Sequence, residues 1–269
     1  MSLCITSLNS GSNGNCYYIG NQNEAVLIDA GISCREIEKR MARLGLSMNR
    51  IKAVFISHEH SDHIKGLYRL ATKYGLPVYI SKPTLLASRL SFPYSPVIHF
   101  DSSNPILIGS LQVRPFNKYH DAADPYSFMI EEEGVKIGVF TDIGRVCEQI
   151  TYYFAQCHAV FLESNYDEEL LANGRYPYFL KNRISGGHGH LSNRQALELF
   201  LTCRASHLHY LLLSHLSKDN NRPDLVAKLF APHAGDTQII VTSREEETPV
   251  YVVDHLWPQQ SFSTHSQGY

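Results

Sequence analysis

Between positions 58 and 63 the chain reads His-Glu-His-Ser-Asp-His, directly after the apolar run at 51–56 and at the opening of a helical pattern. Side chains of an extended segment alternate with period two, so His58 and His60 share a face, and the turn into the helix re-aims Asp62 and His63 at a neighbouring point. One segment built this way can serve two metals. Mixed imidazole and carboxylate donors suit zinc or manganese and also accommodate iron, and a metal pair both activates a water and polarises a phosphoryl or carbonyl oxygen. The chemistry implied is hydrolysis. The alternative, a polar surface loop, needs three histidines and an aspartate to fall together in six positions by chance.

Around this run the sequence reads as strands at 4–8, 16–19 and 25–29, a helix capped by Ser33 and Glu36, the strand 51–56, and a helix carrying Ile64, Leu67, Ala71 and Tyr74 to Gly75. Further strands are expected at 78–80, 97–100, 106–108 and 111–115, and a hairpin joins 127–130 to 136–141 around Glu133 and Gly134. After that, strands at 159–162, 208–213 and 238–242 alternate with helices at 145–155, 193–203 and 223–230. Two runs of strands with interspersed helices imply sheets packed face to face with helices outside, a layered α/β sandwich.

The 269 residues contain no linker-like segment and no repeat, so one domain over 1–257 with a frayed tail at 258–269 is expected. A net charge of -2 gives no overall basic signature, and the local patch Arg35, Lys39, Arg40 and Arg43 reads as a solvated helix face. The start lacks a secretory pattern and no apolar run reaches membrane-spanning length, which predicts a cytoplasmic protein without a membrane partner. The six cysteines are scattered without a Cys-x-x-Cys pair, which predicts reduced thiols rather than disulfides or a thiolate zinc site.

A two-metal centre needs more ligands than one segment supplies. His120 follows residues 113–119, Asp142 ends 137–141 and His215 ends the apolar run 211–213, each at the end of an expected strand. With Ile28-Asp29-Ala30-Gly31 and the run from His58 to His63, these segments in this order resemble the metallo-β-lactamase fold superfamily over nearly the whole chain. The resemblance implies a four-layered αββα sandwich. It also implies that His58, His60 and His120 hold one divalent metal, that Asp62, His63 and His215 hold the other, that Asp142 bridges them, and that Asp29 supports the cluster from behind.

Three later segments, 162–167, 189–193 and 213–217, resemble the nuclease-like branch of that superfamily, which includes tRNase Z and the β-CASP nucleases. In that branch a histidine matching His190 lies beside the metals and contacts phosphate. A phosphodiester leaves as an alkoxide, which makes His190 the candidate general acid; Asp62, among the ligands, is the second residue assigned to the chemical step. Ser192 and Asn193 sit at an expected helix N-terminus that could receive phosphate, and His188 reads as peripheral. No β-CASP insertion or tRNA-clamping arm fits in the chain. The segments 10–16, 163–167 and 190–193 are most similar to the YycJ (WalJ) subfamily of bacteria. That similarity implies 5′ to 3′ exonuclease action on duplex DNA and a place in DNA repair, with Lys181, Arg183 and Arg194 as candidates for recognising the 5′ end. The alternative is a small-molecule hydrolase of the same fold acting on a cyclic phosphodiester, a lactone or a thioester.

Overall fold

Leu3 and Ile5, Tyr17 and Ile19, and Val26 and Ile28 occupy alternate positions of three successive strands and all enter one apolar layer. That period of two is the mark of a sheet. The computed structural model describes residues 2–255; the expected tail at 258–269 lies outside the described residues, as do 256 and 257.

The first sheet contains β1 (Leu3–Asn9), β2 (Cys16–Gly20), β3 (Ala25–Ile28), β4 (Ile51–Phe55), β5 (Val78–Tyr79) and β6 (Val97–Ile98). The second contains β7 (Ile106–Ile108), β8 (Leu111–Asn117), β9 (Tyr126–Glu132), β10 (Val135–Phe140), β11 (Ala159–Glu163), β12 (Tyr210–Ser214) and β13 (Gln238–Val241), and β14 (Tyr251–Val253) returns to the edge of the first beside β1. The orders are β14-β1-β2-β3-β4-β5-β6 and β13-β12-β11-β10-β9-β8-β7. Each sheet is antiparallel in one part and parallel in the other: β3 to β6 run parallel in the first, and β10 to β13 in the second. The β9–β10 hairpin turns through Glu133 (φ 47°) and Gly134 (φ 83°), the pair of positive φ values that a type I′ two-residue loop requires.

Three apolar layers separate four layers of structure. Phe55, Phe128, Ile137, Phe161 and Leu212 fill the space between the sheets. Ile37, Met41, Leu67 and Leu70, from helices Cys34–Arg43 and Leu67–Tyr74, cover the outer face of the first sheet. Phe154, Leu199, Phe200 and Phe230, from helices Glu148–Phe154, Asn193–Cys203 and Pro223–Phe230, cover that of the second. This is the αββα sandwich.

The expected helix carrying residues 64–74 divides into Ser61–Ile64 and Leu67–Tyr74. The break is a docking point: Gly66 N donates to Ala30 O (2.8 Å), and a Cβ at Gly66 would lie 2.0 Å from Ile32 O. The expected helix at 145–155 starts only at Glu148. Helices Lys82–Ser88, Glu168–Asn173 and Tyr178–Ser185 and strand β14 were not expected from the sequence. The first two carried visible caps, Ser81 and Asp167, but each spans too few turns to build an apolar period. Among the described residues no helix is long and apolar enough to cross a membrane, and all six cysteines are free thiols.

The topology gathers chain at one edge of the sandwich. Asp29, Ser57, Asp142, Glu163 and His215 all lie at or just past the C-terminal ends of parallel strands β3, β4, β10, β11 and β12. Open α/β sheets place their sites at that edge.

Candidate metal centre

Three of these strand-end residues leave their strands with left-handed backbone, Asp29 at φ 63°, Asp142 at φ 55° and His215 at φ 56°. Non-glycine residues adopt such values at a cost of about 1 kcal/mol or more, and the surrounding contacts hold them there. The turn of the 58–63 run is fixed by backbone bonds from Asn15 N to Asp62 O (2.7 Å) and from Ala30 N to His63 O (2.8 Å). Gly31 permits that approach, since a Cβ there would lie 1.7 Å from Asp62 O.

The residues expected to bind metal come together in the structure. His58 Nε2 lies 3.0 Å from His60 Nδ1, which lies 3.3 Å from His120 Nε2. Asp62 Oδ2 lies 3.5 Å from both His63 Nε2 and His215 Nε2. Asp142 reaches toward both groups: Oδ2 is 3.3 Å from His63 Nε2, and Oδ1 is 3.2 Å from His215 Nδ1 and 3.9 Å from His120 Nε2. Each of the trios His58/His60/His120, Asp62/His63/His215 and His58/His63/Asp142 offers ligand atoms within 4.8 Å of one another.

The partners behind the rings fix which nitrogen faces inward. His120 Nδ1 donates to Gly189 O (2.8 Å), His63 Nδ1 to Asp29 Oδ2 (2.7 Å) and His215 Nδ1 to Glu163 Oε1 (3.1 Å). Carboxylates and carbonyls only accept, so the lone pair of each ring is left on Nε2. Ser57 Oγ spends its proton on Asp29 Oδ2 (2.8 Å) and accepts from His58 Nδ1 (2.9 Å), with the same result for His58. Asp29 therefore orients two of the rings, one directly and one through Ser57. The buried atoms His215 Nε2 and Asp142 Oδ2 make no hydrogen bond, which a buried polar atom does not sustain without an ion or a water. Converging imidazole and carboxylate donors with orphaned inner atoms fit a divalent metal.

Electrostatics divide the cluster. Burial holds the His58 imidazole well below its ordinary value, helped by His63, and lowers His120 to about 3, so both are neutral and ready to coordinate. Burial also acts to lower His63 and His215, but carboxylates outweigh it. Asp142, Asp29 and Asp62 carry His63 well above its ordinary value, and Asp142, Asp62 and Glu163 raise His215 to about 10. Burial would raise the Asp62 and Asp142 carboxyls, yet His63 and His215 hold both well below the usual range. In the metal-free protein, then, His63 and His215 carry protons that a metal must expel. Affinity for a divalent ion at the Asp62, His63 and His215 group is expected to rise about a hundredfold per pH unit between about pH 6 and 8, with about two protons released on binding. Calorimetric titration in buffers of differing ionisation enthalpy measures both, and a pH-independent affinity without proton release would contradict this account.

Glu163, inside the segment 162–167, has no role that the sequence alone points to. It is fully buried at the end of β11, and four donors converge on it. Oε1 accepts from His190 Nδ1 (2.7 Å) and His215 Nδ1 (3.1 Å), and Oε2 from Ile143 N (2.6 Å) and Leu191 N (3.2 Å). Burial raises its carboxyl, but His190 and His215 bring it down to about 2. A charged residue straight after the apolar residues 159–162 was the available signal, because a buried carboxylate must have partners. Asn15 was also missed; its Nδ2 lies 3.3 Å from Asp62 Oδ2 and 3.2 Å from His63 Nε2.

His190 is brought to the centre, its ring 5.3 Å from His120 and 5.2 Å from His215, and its side chain keeps 21% exposure, against 2% or less for His58, His63, His120 and His215. His188 sets its ring edge-on to Tyr119. Ser192 and Asn193 are buried with their polar atoms taken up inside the protein. Ser192 caps its helix through a reciprocal pair with Gln195 and donates to Glu168 Oε1, while Asn193 bonds Ser164 and Asn221. Lys181, Arg183 and Arg194 each have a local partner: Ala172 O, Asp121 and Glu168.

The family described as beta-lactamase superfamily domain matches residues 24–215. The chain belongs to this superfamily, in its metallo-β-lactamase form. Within it, the chain is 35% identical over 228 residues to exodeoxyribonuclease YycJ of Bacillus anthracis, covering 84% of this chain and 86% of that protein. It is 30% identical over 256 residues to exodeoxyribonuclease WalJ of Streptococcus pneumoniae, covering 90% and 95%. The crystal structure of the metallo-β-lactamase fold protein YhfI from Bacillus subtilis superposes with a TM-score of 0.73 at 16% identity, covering 94% of this chain and 100% of that one, a likeness of fold alone.

Proposed function

We propose that this metallo-β-lactamase superfamily member is a metal-dependent nuclease that hydrolyses phosphodiester bonds of DNA, acting as a 5′ to 3′ exonuclease on duplexes. His58, His60 and His120 hold one divalent cation, Asp62, His63 and His215 the other, and Asp142 stands between them; zinc or manganese suits this donor set. When bound, such a pair lowers the pKa of a water toward about 7 and stabilises negative charge on the attacked phosphate. The chain's own residues do the rest. His190 carries the reading: its Nδ1–H is committed to the buried Glu163, so Nε2 is the nitrogen left to hand a proton to the departing alkoxide. Ser192 and Asn193 serve this by holding the start of the helix that follows His190 rather than by touching substrate. The names of the YycJ and WalJ relatives, both exodeoxyribonucleases, support DNA over a cyclic phosphodiester, lactone or thioester.

Metal-loaded protein incubated with duplex DNA labelled at either end, a cyclic nucleotide and a lactam tests this. Mononucleotides released from the DNA, with the 5′ label lost first, are the expected result. Turnover of the cyclic nucleotide or lactam with intact DNA would sink the proposal.

A further inference from the structure

Tyr119 and Arg145 have no part in the site as described, yet they flank it in sequence and in space. Tyr119 precedes His120, and Arg145 follows Asp142 by three residues. The backbone ties them together, with Gly144 N donating to Tyr119 O at 2.6 Å. The Arg145 guanidinium carbon lies 3.8 Å from the centroid of the Tyr119 ring. Neither residue belongs to the core: Tyr119 is 40% exposed and Arg145 is exposed. Among the described residues no carboxylate pairs with Arg145.

We propose that Arg145, seated over the Tyr119 ring, is the contact for the polynucleotide strand next to the scissile phosphate, an inference that rests on DNA being the substrate. Three observations carry it. The Tyr119 ring positions the guanidinium in advance, which leaves its N–H groups for a phosphate and its outer side for a base, the two uses nucleic-acid sites make of arginine. A cleft of about 590 Å³ opens there, lined by Asn117, Lys118, Tyr119, Arg145, Glu148 and Gln149, enough to seat a nucleotide. The histidine-bearing loop connects the two places: His190 faces the ligands, while His188, two residues back, sets its ring edge-on to Tyr119 at 6.0 Å. Consecutive Cα atoms are about 3.8 Å apart, so Tyr119 stands beside His120, in reach of a strand whose reacting phosphate sits at the ligands.

The measurement is the preference for length, kcat/KM on a long oligonucleotide divided by kcat/KM on a dinucleotide, with metal-loaded protein. Arg145→Ala and Tyr119→Ala are each expected to lower this ratio about tenfold, chiefly through KM on the long strand, the size of one lost stacking contact. Tyr119→Phe keeps the ring and the ratio, whereas Arg145→Lys, with a charge but no planar fork, recovers only part of it; these conservative variants separate contact from folding. A wild-type ratio in both alanine variants overturns the assignment while leaving the nuclease reading in place. A wild-type protein that cuts neither DNA substrate overturns the nuclease reading itself and this inference with it.

Discussion

Asp142→Ala is expected to abolish tight metal binding and to lower kcat/KM by about a thousandfold or more, because it removes the carboxylate that lies within 4 Å of His63, His120, His190 and His215. Its oxygens stand 3.3 Å from His63 Nε2 and 3.2 Å from His215 Nδ1, and among the described residues no backbone N–H donates to them. The variant therefore leaves no unpaired backbone group behind. What it does remove is the largest influence holding His63 and His215 up against burial. Those raised imidazoles stabilise the metal-free fold fully below the unfolded value near about 6.5, and that contribution is lost as pH rises through the folded values. Metal-free Asp142→Ala should accordingly melt lower than metal-free wild type at about pH 6, with the gap closing toward about pH 10. Asp142→Asn separates charge from shape, since asparagine tolerates the left-handed backbone that alanine does not. It should keep the fold and still lose the metal. Elemental analysis and melting of both variants decide the matter, and a folded Asp142→Ala protein with full metal content and normal turnover would end the bridging role.

The part of this centre that was legible in the sequence is the part confined to short segments or to strand ends. Three histidines and an aspartate between 58 and 63 announce themselves by density, and His120, Asp142 and His215 by following apolar runs in an order shared with a known superfamily. The sandwich was legible through short strand-like segments bounded by turn residues in β1 to β3 and through apolar runs in β11 and β12. Residues whose roles depend on depth were not. Ser57 reads as an ordinary serine until Asp29 is seen to take its proton and His58 to lean on its oxygen. Ser192 and Asn193 read equally as a cap or a phosphate cradle, because both use the same helix end; burial and the Gln195 partner make the first their role in the fold. β14 pairs with a strand more than two hundred residues away, Leu3 against Val253, and no local pattern encodes such a contact.

Glu163→Gln, a change of one atom, is expected to weaken metal binding at the Asp62, His63 and His215 group by about ten- to a hundredfold and to destabilise the protein by about 1–3 kcal/mol. All four partners of Glu163 are donors: two imidazole Nδ1 atoms on one oxygen and two backbone N–H groups on the other. A glutamine must turn its own donor toward one pair. Facing Ile143 N and Leu191 N, it strands buried backbone donors that cannot move. Facing the rings, it forces His215 to accept at Nδ1 and carry its proton on Nε2, where no metal can then bind. Either way a group that the wild-type carboxylate satisfies is lost, and the second route strikes the ligand directly. The stability difference has a pH signature as well. The Glu163 carboxyl is lowered to about 2, so its contribution is complete above the unfolded carboxyl value and is lost as pH falls through about 2. The gap in melting temperature between metal-free wild type and Glu163→Gln should thus be widest near neutrality and shrink in strong acid. Metal titration and pH-dependent melting on the same preparations test both limbs; wild-type affinity with a pH-independent gap would remove Glu163 from its place behind the two histidines.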